Sequence, residues 1–79
     1  MRLDKYLKVS RIIKRRTVAN EACDAGRVLV NGKAARASYD VKIGDKIEIT
    51  FGTREFKAEV LSIAEVIKKE DASAMYKLI

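Results

Sequence analysis

The residues best suited to chemistry in this 79-residue chain are basic, and they are densest in the run Arg11-Ile12-Ile13-Lys14-Arg15-Arg16-Thr17. Arginine binds phosphate through paired hydrogen bonds and stacks on bases, whereas lysine acts as a point charge. Three further bases are spaced by three residues, as in a ridge along a helix, and these are Arg2, Lys5 and Lys8. The pattern indicates phosphate binding. The alternative is a solvated basic face whose alkyl stems cover apolar core.

Charge is unevenly divided between the two halves of the chain. Residues 1–36 contain ten of the 17 basic residues and three of the 11 acidic residues, which is a net charge of +7. Residues 37–79 have a net charge of −1. A one-sided basic field favours a polyanionic partner, and for a small basic domain that partner is most often nucleic acid.

Several classes of protein are excluded by composition. The chain has no histidine, which removes a histidine base, a Ser–His or Cys–His nucleophile pair and the usual zinc ligands. Its single cysteine, Cys23, forms no intrachain disulfide and fits a reducing compartment. No apolar run approaches the roughly 20 residues of a membrane span, and the first residues lack a signal core. We predict a cytoplasmic protein with no catalytic residue, no metal, no cofactor and no membrane partner.

Two helices are predicted before Gly26. The first ends near Ser10, and its apolar face consists of Leu3, Tyr6 and Leu7. The second runs from residue 15 or 16 to Ala25, with an apolar stripe made of Val18, Ala19, Ala22 and Cys23. Gly26 suits the left-handed position just past the end of a helix.

After Gly26 the apolar period changes to two, which predicts strands. Asn31-Gly32 predicts a hairpin turn, with residues 33–36 returning as a short strand and 37–45 forming a loop. Two longer strands meet at a Gly52-Thr53 turn, and the second is predicted to extend to about Ile67, with a bulge or bend near Leu61 and Ile63. Residues 71–79 fit either a helical turn or a terminal strand. The prediction is one α+β domain, residues 1–79, with two N-terminal helices and a small antiparallel sheet of four or five strands.

Three segments in fixed order carry a family resemblance: Arg2-Leu3-Asp4-Lys5-Tyr6-Leu7, Arg16-Thr17-Val18-Ala19 and Ala25-Gly26-Arg27-Val28-Leu29-Val30-Asn31-Gly32-Lys33. Over about residues 1–50 the chain resembles the RNA-binding module named after small-subunit ribosomal protein S-four. The resemblance implies an L-shaped surface of two helices and a hairpin that grips structured RNA, with residues 51–79 as a C-terminal hairpin extension. Arg15 stands where this family often has serine.

Further features along the chain narrow the resemblance to stand-alone members. They are Lys14-Arg15-Arg16-Thr17, Asp40-Val41-Lys42 before Gly44-Asp45, Phe51-Gly52 and Ala74-Met75-Tyr76. The chain resembles the family of the bacterial ribosome-associated quality-control protein P, and is similar to the fifteen-kilodalton heat-shock proteins without their long basic C-terminal extension. The resemblance implies a monomer that binds stalled 50S subunits carrying peptidyl-tRNA and contacts 23S rRNA and the tRNA. It also implies an NEMF-family partner that adds alanine to the nascent chain.

Carried onto this sequence, the resemblance makes Arg2 and Arg16 the leading RNA contacts, one on each helix. Secondary phosphate contacts are expected from Lys5, Arg11, Lys14 and Arg15. A second edge of the footprint, on or near the hairpin, is expected from Lys33 and Arg36. Thr17 either binds phosphate or satisfies a helix amide, and the sequence favours neither.

Four other residues have competing interpretations. Asp4 either contacts RNA or holds a nearby arginine, and we favour the second. Tyr6 shares a helical face with the apolar residues and is expected in the core, which leaves Tyr39, in a loop, as the better candidate for stacking on a base. Cys23 is expected to be a buried small hydrophobe.

Three other functions compete with stalled-chain rescue. The first is a generic rRNA-binding assembly factor, and the second is a detached RNA-binding appendage of an RNA-modifying enzyme. The third is a small DNA-binding regulator, which the sequence disfavours because nothing in it resembles a recognition helix for the major groove.

Overall fold

The structure is a computed structural model that describes residues 1–64 and 68–79. Its helices are α1 (Leu3–Val9), α2 (Arg16–Asp24) and a 3-10 helix (Lys69–Met75). Its strands are β1 (Val28–Val30), β2 (Lys33–Ala34), β3 (Lys46–Phe51), β4 (Arg54–Val60) and β5 (Tyr76–Leu78). The predicted α+β class is confirmed, with two N-terminal helices followed by a five-stranded antiparallel sheet.

The strands lie in the order β2-β1-β3-β4-β5. The first hairpin turns at Asn31 and Gly32, whose φ angles of 54° and 84° are those of the predicted tight turn. The second turns at Gly52, with φ 60°. β2 is shorter than the predicted segment 33–36, because the chain leaves the sheet after the Ala35 amide donates to the Val28 carbonyl.

The core lies where the helices meet the inner face of the sheet. Its buried side chains include Leu3, Leu7, Ile13, Ala19, Cys23, Val28, Ile47, Ile49 and Val60. Tyr6 is fully buried, and its hydroxyl donates to the Met75 carbonyl at 2.8 Å, which ties α1 to the C-terminal segment. Tyr6 and Cys23 are therefore core residues, as predicted.

Two sequence-based expectations were wrong. Val18 does not join the buried stripe of α2 but is 46% exposed, because it lies about 100° around the helix from Ala19. β4 does not continue toward Ile67 but ends at Val60. The amides of the next two residues both donate to the Met75 carbonyl, which turns the chain out of the sheet. The last part of that expectation, residues 65–67, lies outside the described residues.

The sequence of residues 71–79 fits either a helical turn or a terminal strand, and the C-terminal segment contains both. The 3-10 helix comes first, and β5 then pairs with β4, placing Tyr76 opposite Val60 and Leu78 opposite Ala58. The proposed division at residue 50 stays a prediction, since β3 continues to Phe51. No helix in the described ranges combines the length and apolar character needed to span a bilayer.

Candidate nucleic-acid interface

The buried carboxylate of Asp4 organises the surface where the two helices meet. It accepts hydrogen bonds from Arg2 Nε at 3.1 Å, Asn20 Nδ2 at 3.2 Å and the Lys5 amide at 2.8 Å. Arg16 Nε lies 3.4 Å from its second oxygen. Burial alone raises the pKa of Asp4, but these donors together outweigh burial and lower the pKa to about 2. Asp4 thus stays ionised and holds one arginine from each side of the helix junction.

Arg2 and Arg16 keep much of their donor capacity for a ligand. Their side chains are 51% and 48% exposed, whereas that of Asp4 is 3% exposed. A guanidinium has five N–H donors, and only one or two of each are directed at the carboxylate. The cluster combines one carboxylate with two guanidiniums, so it carries a net positive charge and its exposed side stays cationic. Asp4 has the structural role that the sequence favoured.

Three neighbouring depressions continue from this cluster across the molecule. The first is lined by Asp4, Arg16, Thr17, Asn20 and Glu21. The central one is lined by Arg2, Asn20, Asp24, Arg36, Ala37 and Ser38. The third is lined by Lys33, Arg36, Ser38 and Tyr39. Neighbouring depressions share residues, so they form one continuous track, called here the basic groove.

The basic groove brings together five of the nine predicted RNA-binding residues. These are Arg2, Arg16, Thr17, Lys33 and Arg36. Within the described residues, Arg36 forms no ion pair, so its charge is available to a ligand. Thr17 is exposed on the groove wall, and its choice between phosphate and a helix amide stays a prediction.

The other four predicted contacts lie outside the groove lining. Lys5 is half-buried on α1, while Arg11, Lys14 and Arg15 are exposed in the connection between the helices, residues 10–15, called here the interhelix loop. Arg11 has a φ of 64°, a left-handed conformation that favours glycine, and its amide donates to the Lys8 carbonyl at 3.1 Å. Arg15 is the N-cap of α2, but its side chain forms no capping hydrogen bond.

A second buried carboxylate, Asp45, positions the hairpin end of the groove. It accepts from the Tyr39 hydroxyl at 2.9 Å, Asn31 Nδ2 at 3.0 Å and the Lys42 amide at 2.9 Å. Burial raises the pKa of Asp45, but the hydrogen bonds prevail and the net pKa is lowered. Donation to Asp45 raises the pKa of Tyr39. The ring of Tyr39 is thereby held in the groove wall, as a stacking residue requires.

Sequence reasoning did not predict the function of Asp45 or four polar residues of the groove lining, Asn20, Glu21, Asp24 and Ser38. Asn20 follows Arg16 by one helical turn, and this spacing could have identified it as a groove residue. Asp24 and Ser38 carry no such local signal, because their proximity depends on how α2 packs against the segment after β2. The described residues contain no group of three or more histidine, cysteine or acidic side chains arranged for a metal ion.

Comparison with known proteins agrees with the resemblance read from the sequence. The model of the S4 domain family matches residues 1–47. The chain is 57% identical to the RQC P-site tRNA stabilizing factor of Streptococcus pneumoniae, over 100% of this chain and 90% of that protein. It is 50% identical to the protein of the same name from Halalkalibacterium halodurans, over 99% of this chain and 89% of that one.

The fold is also similar to that of a solved structure. The trimeric structure of Vibrio cholerae heat shock protein 15 has a TM-score of 0.91 and 30% identity. The match covers 100% of this chain and 81% of that chain. Both predicted relationships, to the quality-control proteins and to the fifteen-kilodalton heat-shock proteins, are confirmed.

Proposed function

The chain belongs to the S4 domain family, and from that premise we propose that it is an RNA-binding factor of ribosome-associated quality control. It binds large ribosomal subunits that still carry peptidyl-tRNA, and it contacts 23S rRNA and the P-site tRNA. Relatives that share about half or more of its residues are named as stabilizing factors for that tRNA. The protein acts in the cytoplasm, as a monomer and without catalysing a reaction.

The observation that supports this function best is the Asp4 cluster. A loose basic surface binds any polyanion weakly, because its side chains lose rotamer entropy on binding. Here one buried carboxylate fixes Arg2 and Arg16 before RNA arrives. Two guanidiniums at a set separation select phosphates with a matching spacing, which favours structured RNA over a random polyanion.

The interhelix loop supplies a second, less specific set of contacts. Arg11, Lys14 and Arg15 are exposed there, beside the start of α2. We assign them, with Lys5, to phosphates that flank the RNA held in the basic groove. Two contact areas on one small domain allow it to bridge two RNA elements, such as the tRNA and the rRNA beside it.

Stabilising the tRNA would support C-terminal alanine tailing of the nascent chain. If a factor binds the 50S particle only while peptidyl-tRNA is in place, it shifts the equilibrium toward the tRNA-bound particle by mass action. The peptidyl-tRNA then remains available to an NEMF-family partner that recruits alanyl-tRNA. No chemical step is required of this chain.

Sedimentation through sucrose gradients tests the proposal. Stalled large subunits carrying peptidyl-tRNA are mixed with the protein, with and without prior puromycin treatment, which removes the nascent chain. We expect the protein to migrate with the untreated 50S particle and to return to the top of the gradient after treatment. Equal binding to both particles would favour the assembly-factor alternative, and binding to neither would refute a ribosomal role.

A further inference from the structure

The central depression of the basic groove contains a carboxylate that a phosphate-binding surface does not need. Asp24 lines it together with Arg2, Asn20, Arg36 and Ser38. The depression has a volume of about 370 Å³ and is open to solvent, which is within the range of roughly 300–1,000 Å³ typical of small-molecule sites. It is therefore large enough for one nucleobase.

Asp24 is held in place by a backbone hydrogen bond, at a position where the helix dipole and a bound phosphate would both oppose its charge. Its Oδ1 accepts a hydrogen bond from the Ala37 amide at 3.2 Å, which fixes the carboxylate against the segment after β2. It is the last residue of α2, where the helix dipole disfavours a negative charge. Among the described residues it forms no ion pair, so its charge also repels any phosphate in the groove.

A ligand that presents N–H donors at this point would be attracted to the Asp24 carboxylate rather than repelled by it. We propose that the central depression binds the base of one unstacked guanine nucleotide, with Asp24 accepting from its Watson–Crick edge and the flanking arginines donating to its opposite edge. This inference rests on the proposed function as an RNA-binding factor. Proteins commonly read RNA through unpaired bases that are splayed out, hydrogen-bonded on their edges and stacked on arginine.

Guanine fits this set of donors and acceptors better than the other bases. Its N1–H and N2–H₂ form two adjacent donors for a carboxylate, and its O6 and N7 are acceptors for a guanidinium. Adenine and cytosine offer one amino group beside a ring nitrogen that would repel Asp24. Uracil has a single N–H between two carbonyl oxygens. Asn20 and Ser38 add polar side chains to the lining.

Short RNAs test the site separately from the ribosome. The probes are single-stranded RNAs of about ten nucleotides, uridine-rich, with guanine, adenine, cytosine or inosine at the central position, and fluorescence anisotropy gives each affinity. We expect the guanine RNA to bind wild-type protein about tenfold or more tightly than the adenine RNA. Inosine lacks the N2 amino group, so its RNA should have an intermediate affinity.

Asp24→Asn is the decisive variant, because asparagine keeps the acceptor for the Ala37 amide and loses the charge. A melting curve verifies that it folds. It should lose most of the preference for guanine and bind the guanine RNA more weakly. Asp71→Asn, which removes an acidic charge at an exposed residue outside the groove lining, is the matched control. It should retain the preference and bind every probe slightly more tightly.

Three outcomes would overturn the guanine site: equal affinity of wild-type protein for all probes, no binding to any of them, or an Asp24→Asn variant whose base preference is unchanged. These outcomes leave the proposed function intact if the wild-type protein still sediments with stalled 50S particles. Failure of that sedimentation, with guanine preference retained, would instead refute the ribosomal role alone.

Discussion

Arg16 Nε lies 3.4 Å from Oδ2 of Asp4, although the two residues are 12 positions apart in the chain. The contact connects the start of α2 to the first turn of α1. Because Asp4 also holds Arg2, the separation of two exposed cations is set by the packing of the helices. The proposed RNA-binding surface and the fold therefore share one buried group, so we expect changes at this junction to affect both stability and binding.

The Asp4 cluster predicts a specific dependence of stability on pH. The pKa of Asp4 falls from 3.8 to about 2 on folding, so its contribution is complete above about pH 5 and is lost as the pH falls toward 2. The arginines are half exposed, and we expect roughly 1–2 kcal/mol from this group. Urea unfolding followed by circular dichroism should show Asp4→Asn less stable than wild type by about that amount at pH 6.

The difference between the two proteins should shrink as the pH is lowered from about 4 to 2, because protonation removes the same charge from wild type. Asp71→Asn, at an exposed residue of the 3-10 helix, is the matched control and should remain close to wild type throughout. A difference between Asp4→Asn and wild type that stays constant with pH would show that the ion pairs contribute nothing.

Local patterns predicted most of the fold, and contacts between distant segments account for what they missed. The helical spacing of Leu3, Tyr6 and Leu7 and the turn at Asn31-Gly32 depend on residues close in sequence, and both predictions were confirmed. The end of β4 depends on the Met75 carbonyl, 15 positions beyond Val60. No periodicity within β4 could indicate that contact.

The candidate site shows the same division. Charge and the family resemblance predicted Arg2 and Arg16 as RNA contacts, and the structure brings both to the helix junction. That Asp24 lies beside Arg36 follows from the hydrogen bond between Asp24 and Ala37, which are 13 residues apart. The basic surface was predicted by looking for clustered basic residues. That criterion does not select an acidic residue such as Asp24, even when it lies within the surface.

We predict that Arg11 contributes to RNA binding through its charge but lowers the free energy of unfolding through its backbone angle. Its φ of 64° costs an L-residue about 1 kcal/mol or more, whereas glycine adopts this angle freely just after a helix. Arg11→Gly should raise the free energy of unfolding by about 0.5–1 kcal/mol, after allowing for the greater entropy of unfolded glycine. The same variant should weaken RNA binding severalfold by removing an exposed charge.

Arg11→Ala separates the two effects, because alanine removes the same charge and keeps the unfavourable angle. It should lose RNA affinity as Arg11→Gly does and unfold with nearly the wild-type free energy. Chemical denaturation and anisotropy on the same preparations give both quantities. Equal stability of the glycine and alanine variants would exclude backbone strain at this residue.

Salt dependence measures how many phosphates the surface neutralises. The groove and the interhelix loop together allow about four to six phosphate contacts, so the logarithm of RNA affinity should fall against the logarithm of salt concentration with a slope of roughly −3 to −4. Titrations from about 50 to 300 mM salt provide the measurement. A slope near zero would contradict binding through phosphates, and loss of a single contacting arginine should reduce the slope by about 0.7.

Neutralising matched pairs of bases tests whether the helix junction is a shaped site or part of a general basic surface. One variant carries Arg2→Gln and Arg16→Gln, and the other carries Lys57→Gln and Lys68→Gln, so both lose two positive charges. Glutamine is preferred to glutamate at the junction, because two more carboxylates would repel buried Asp4 and destabilise the fold. Its amide can still donate to Asp4, and melting curves verify the fold.

If only total charge mattered, both pairs would weaken co-sedimentation with stalled large subunits equally. Lys57 is on β4, where it lies 3.9 Å from Glu55, and Lys68 is exposed near the C-terminus, so neither lines the basic groove. A site built on Arg2 and Arg16 should lose about thirtyfold or more in affinity, since each arginine contributes about 1 kcal/mol or more. The lysine pair should lose only the screened long-range attraction, about tenfold or less at physiological salt. Equal losses would mean that the Asp4 cluster serves the fold and that RNA binds the basic surface without a preferred site.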